Sequence, residues 1–186
     1  MIPSDYKVTT ASLWEAALAF AVIDFFFMLL LMRRIHGGMF RQLRPYLVFT
    51  AGIFWFLVWL LMSVYFWDPV YHYVFPAWAR WLIPPFYSIL FMLATLLFSW
   101  LAIRIPGHPV LNFCILGGLW GMLTHLWGMT RGLIDKPPML QGLNPLSVAV
   151  MPVFEFIFYW CIILTISHFL SRHVNSPANR LRGGLT

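Results

Sequence analysis

The chain has 186 residues, 61% of them hydrophobic and only 10% charged, against about 25% charged in a soluble domain. That balance excludes a soluble globular domain, and the apolar residues fall in runs of about 20, the length a helix needs to cross the hydrocarbon core. The net charge of +6 does not point to nucleic acid, because the basic residues sit at the ends of apolar runs, where topology and lipid headgroups account for them.

Five segments follow in order. Residues 12–32 form the first and stop at Arg33-Arg34; residues 46–67 form the second and end at Asp68-Pro69. The third, 82–103, opens with Pro84-Pro85 and closes at Arg104. A Pro106-Gly107 turn and Pro109 precede the fourth, 110–129, and the fifth, 146–170, stops at Arg172-His173. Each boundary carries a breaker or a charge, as helix ends do. The expected fold is therefore an all-α, polytopic transmembrane helix bundle of five spans in a single domain, 1–186, with no room for a separate soluble domain. Met1–Thr10 is polar, carries Asp5 and lacks a basic start, unlike a secretory signal peptide.

Orientation follows from Lys and Arg. With the N-terminus outside, Arg33, Arg34, Arg41, Arg44, Arg104, Arg172, Arg180 and Arg182 lie inside, while Lys7, Arg80, Arg131 and Lys136 lie outside. The expectation is N-out and C-in, in a plasma membrane or bacterial inner membrane. Trp14, Trp67, Trp78, Trp81 and Trp127 cluster at the proposed outer boundary, where an apolar ring with a wet N–H is favoured. No internal repeat relates the segments, so an inverted-repeat transporter is not supported.

Carboxylates in hydrocarbon are costly and need a reason. Glu15 lies about 5 Å into the first segment, Asp24 about 18 Å, Glu155 about 13 Å into the fifth, and His125 about 6 Å inside the outer end of the fourth. Glu15 and Asp24, nine residues apart, point to opposite sides of a helix; Glu15 reaches the interface and Asp24 does not. Cys114, Gly117, Gly118, Gly121, His125 and Gly128 run along one seam of the fourth segment, and its GxxxG pair lets another helix approach closely. His125 therefore points into the bundle. Depth and phase nominate Asp24, His125 and Glu155 as catalytic residues in the outer half, the acids exchanging protons and His125 relaying. His125 and Glu155 are also the candidate ligands of a transition metal, which O and N donors suit. Alternatively, His125 is a packing residue bonded to a backbone carbonyl, and Asp24 and Glu155 bond to neighbouring helices.

Residues 152–159 contain Pro152, Glu155, Phe156 and Phe158. This short run resembles the Pro-x-Glu-Glu helix, followed by Phe-rich residues, of integral-membrane carotenoid cyclases of the heterodimeric lycopene cyclase type. Phe154 stands where the first of the paired acids falls, and the resemblance extends no further along the chain.

Other chemistry is weaker. His168 with His108 or His36 is the only pairing that suggests haem, and loops and helix ends collect histidines anyway. The ten methionines are scattered, as gap-filling residues are, rather than grouped for copper. Cys114 and Cys161 form no disulfide framework and no CxxC pair. The cofactor is not readable. Stiff turns at Pro137-Pro138 and Asn144-Pro145 make the loop 130–145 a cap over a site next to His125, or a dock for a partner. Three functions are compatible: a membrane-embedded enzyme or binding protein for a lipid-soluble small molecule or metal; an accessory subunit bound to other membrane proteins or to its own copies; and a proton- or ion-coupled transporter. The lipid bilayer is a partner in all three, and nucleic acid in none.

Overall fold

The computed structural model describes residues 7–175. All regular structure among the described residues is helical, and five helices are long and apolar enough to cross a membrane: α1 (Thr10–Arg34), α2 (Gly37–Tyr65), α3 (Ile83–Ala102), α4 (Pro109–Thr130) and α5 (Pro145–Val174). The protein is an integral membrane helix bundle. At about 1.5 Å per residue the shortest, α3, reaches about 30 Å and the longest, α5, about 45 Å, so each covers the hydrocarbon core.

Local chemistry sets the ends. Thr9 and Ser12 form a reciprocal capping box at the start of α1, each side chain accepting the other's backbone N–H at 3.1 Å. Asn144 accepts the Leu146 N–H at 2.8 Å and starts α5. Gly107 turns the chain between α3 and α4 at φ +113°, a conformation that glycine adopts without strain. From α4, Asn112 then donates to the carbonyls of Ala102 and Ile105 and satisfies the end of α3.

Helix α2 begins at Gly37, well before the apolar run that opens at Tyr46, and carries Pro45 in its interior. Phe40, Leu43 and Leu47 are fully buried and lie on one face at helical spacing. That burial holds the first turns in place although Arg41 and Gln42 leave them polar on the exposed side.

Successive helices alternate in direction. The α1 start is tied to the α4–α5 loop by Val8 N–H to Met139 O and by Asn144 N–H to Thr10 Oγ1. This end, the N face, also holds the loop 66–82. The opposite end carries Arg33, Arg34, Arg41, Arg44, Arg104 and Arg172.

Helix α5 is central, packing on α1, α2 and α4, while α2 pairs with α3. The glycine seam of α4 faces α5: a Cβ at Gly118 would lie 2.8 Å from Val153 O, and one at Gly121 2.8 Å from Pro152 O. Close approach of the two backbones therefore requires glycine there. The fully buried Trp160 sits against Gly117 and leads into an aromatic core in which Trp55 stacks on Phe91 at 3.8 Å. Leu18, Val22, Phe25 and Phe26 of α1 are exposed, as side chains facing lipid are.

The aromatic belt is divided. Trp78, Trp81 and Trp127 are exposed, but Trp67 is buried with Ala79 and Ile83 in a small cluster under the loop 66–82. Arg80 locks that loop down, donating to Ser63 O at 2.9 Å with its guanidinium over the Trp67 ring.

Candidate functional site

The N-face halves of α2, α3, α4 and α5 splay around a cavity of about 400 Å³, within the size range of small-molecule sites. Helical spacing builds its walls. Trp55, Val58, Trp59 and Met62 come from one face of α2, Tyr87, Leu90 and Phe91 from α3, Trp120, Thr124 and His125 from α4, and Glu155, Phe156 and Tyr159 from α5. The two N-face loops close the top. Val70, Tyr71 and Phe75 come from one, and Leu133, Ile134 and Leu140 from the other.

The polar groups in this apolar lining are few. Tyr159 Oη donates to Glu155 Oε1 at 2.5 Å, one turn along α5. The Tyr71 phenol, at the loop edge of the cavity, is held above its ordinary range by burial, then by the charge of Glu155 and by Tyr87. It is therefore a neutral O–H donor near the carboxylate. His125 Nδ1 lies 2.8 Å from Gly121 O on its own helix. A carbonyl can only accept, so Nδ1 carries a proton, and whenever the ring is neutral Nε2 is an acceptor. The ring stands edge-on to Phe156. Trp55, Trp59 and Trp120 line the same cavity, and their buried indole N–H groups have no hydrogen-bond partner in the protein.

His125 and Glu155 thus share one cavity. Asp24 is not among its lining residues. It is 1% exposed on α1, and neither carboxyl oxygen has a partner. Cys114 Sγ lies 3.8 Å from Cys161 Sγ, both thiols free and fully buried. The three nominated residues therefore divide between two places: Glu155 and His125 in the cavity, and Asp24 buried on α1 outside its lining. Among the described residues no group of three or more His, Cys, Asp or Glu is arranged to hold a metal, so a metal on His125 and Glu155 would need its remaining ligands from a substrate or water. His168 is buried with Nδ1 unpartnered, and Arg34 and Arg172 are its charged neighbours. His108 Nδ1 accepts the Val110 N–H at the start of α4.

No protein family, curated protein or solved structure matches this chain. What the cavity does is therefore argued from its own groups.

Chemically, the site joins a carboxylate, a phenol bonded to it, a second neutral phenol and an imidazole nitrogen acceptor in a water-poor, aromatic chamber. Such a set can accept or deliver a proton at a bound molecule. Tyr159 carried a readable signal, being four residues after Glu155 and so on the same face. Tyr71 and the tryptophans carried none, because only the tertiary fold brings the α2–α3 loop and α2 against α5.

Proposed function

We propose that this membrane protein binds a lipid-soluble small molecule in the N-face cavity, and that Glu155 exchanges a proton with it. The cavity supports this reading because it forms within one chain and contains a carboxylate that the bilayer would otherwise exclude. Glu155 is the proton donor or acceptor, Tyr159 holds the carboxylate in place, and His125 Nε2 is the second acceptor. The route in is lateral: Thr124 and Trp127 of α4 line the cavity and are also exposed at the helix surface, where a molecule dissolved in the membrane meets them. The N face lies outside, since the opposite face carries the larger share of arginine.

Protein purified in mild detergent is the test. Mass spectrometry of its lipid extract, compared with the extract of the parent membrane, should show one enriched compound, depleted in Glu155→Gln and His125→Ala. An extract no different from bulk lipid, from protein that instead brings down other membrane proteins, would replace this reading with that of an accessory subunit.

A further inference from the structure

The hydrogen-bonding capacity left open in the cavity says what kind of molecule fits it. The indole N–H groups of Trp55, Trp59 and Trp120 are enclosed within the wall and do not open into the chamber. Tyr159 directs its O–H at Glu155 Oε1 at 2.5 Å, and Thr124 directs its own at Gly121 O at 2.8 Å, so both oxygens are left only to accept. His125 holds its Nδ1 proton on the same Gly121 carbonyl, and the neutral ring then only accepts, at Nε2. The ionised Glu155 is acceptor-only as well, with lone pairs beyond the one that Tyr159 uses. The Tyr71 and Tyr87 phenols can donate or accept, and Trp127 stands at the exposed rim. The balance is a surplus of acceptors around a carboxylate.

The chain offers that carboxylate no cation. No lysine or arginine lines the cavity; on the same face Arg80 is tied to Ser63 O, and Arg131 rests over the Trp127 ring at the rim. A carboxylate held away from water calls for a cation beside it. Much of the remaining lining is aromatic, Tyr71, Phe75, Tyr87 and Phe156 among it, and an ammonium is the polar group that ring quadrupoles attract.

We infer that the ligand of this cavity is a lipid-soluble amine, an apolar body carrying one basic nitrogen, whose ammonium N–H donates to Glu155. The inference rests on the cavity being a ligand site and names the class that fills it. The amine crosses the lipid as the neutral base and enters past Thr124 and Trp127. Glu155 then gives up its proton: the carboxyl O–H bond breaks, an N–H bond forms on the amine nitrogen, and the two opposite charges stay paired in the chamber. Release reverses the step. A zwitterionic lipid headgroup fits worse, because its phosphate needs donors or cations and the chamber offers acceptors.

The experiment compares three probes with the same tail, N,N-dimethyldecylamine, decanol and decyltrimethylammonium, by thermal unfolding of the full chain in mild detergent. A ligand that binds the folded state raises the midpoint by mass action. The amine should raise it saturably and bind about tenfold to a hundredfold more tightly than decanol, the difference a charge-assisted hydrogen bond makes. Glu155→Gln keeps the size of the side chain and removes the charge. It should weaken the amine by about tenfold or more and leave decanol unchanged, the alcohol reporting that the chamber is intact. Equal saturable affinity for amine and alcohol, untouched by Glu155→Gln, overturns the amine inference while the cavity remains a ligand site. A stabilisation that decyltrimethylammonium reproduces and Glu155→Gln leaves in place comes from charge in the micelle, and overturns it too. If no probe binds saturably and no compound co-purifies, the ligand-site reading falls with it.

Discussion

Tyr159 and Glu155 face each other one turn apart on α5, the phenol donating to the carboxylate at 2.5 Å. A hydrogen bond to a charged group contributes about 1.5–3 kcal/mol, roughly twice that of a neutral pair, so the protonation state of Glu155 is readable from stability. If the carboxylate is ionised in the folded protein, Tyr159→Phe lowers stability by about 2 kcal/mol. The same change on a Glu155→Gln background costs less, and the double-mutant cycle by thermal unfolding gives the difference. Equal costs in both backgrounds would show that the acid is neutral.

The α4–α5 seam makes a steric prediction with its own control. Gly118→Ala places a methyl 2.8 Å from Val153 O, a backbone atom that cannot rotate away, and should cost about 1–3 kcal/mol through overpacking. Gly128→Ala meets nothing closer than Ile134 at 3.6 Å. It should be neutral, or stabilising by up to about 1 kcal/mol from helix propensity. Melting curves of the two variants in one detergent check the contrast.

Asp24 predicts a gain. Both of its oxygens are buried without a partner, and an unsatisfied buried group costs about 1–3 kcal/mol, more when charged. Asp24→Leu, which keeps the branched heavy-atom skeleton, should therefore raise the unfolding temperature and leave ligand binding at the cavity unchanged. A lower unfolding temperature would mean that the carboxylate has a partner in the membrane, a proton or cation held inside the bundle.

Sidedness is testable with the two native thiols as silent background, since both are fully buried. Asp135→Cys lies in the N-face loop and Gly38→Cys near the opposite end, both exposed. In intact cells a membrane-impermeant maleimide should label the first and not the second. The reverse pattern would invert the proposed orientation.

The five spans were legible because hydrophobic runs and their breakers are local properties, and local geometry follows from them. The early start of α2 was not. A polar overhang held by three buried residues looks like a loop to a reading based on apolar length, and Pro45 looks like a boundary. The glycine seam of α4 was readable from helical phase, and it indeed faces another helix. Depth and phase brought Glu155 and His125 toward one another, because each lies on a face that packs inward at the same end of the bundle. They do not say which neighbour an inward-facing residue meets. Asp24 also points inward, but from α1, which does not line the cavity. The unpartnered indole N–H groups of Trp55, Trp59 and Trp120 were invisible for the same reason. An indole N–H is unpartnered only relative to its surroundings in the fold.

The central claim, a ligand held beside Glu155, is tested most directly by native mass spectrometry of the protein released from detergent, with Glu155→Gln and Asp24→Leu measured alongside. The account predicts an added mass of one lipid-soluble molecule on the wild type and on Asp24→Leu, and its loss from Glu155→Gln. An added mass that persists in Glu155→Gln but disappears in Asp24→Leu would contradict it and move the site from the N-face cavity to the buried Asp24 carboxylate of α1.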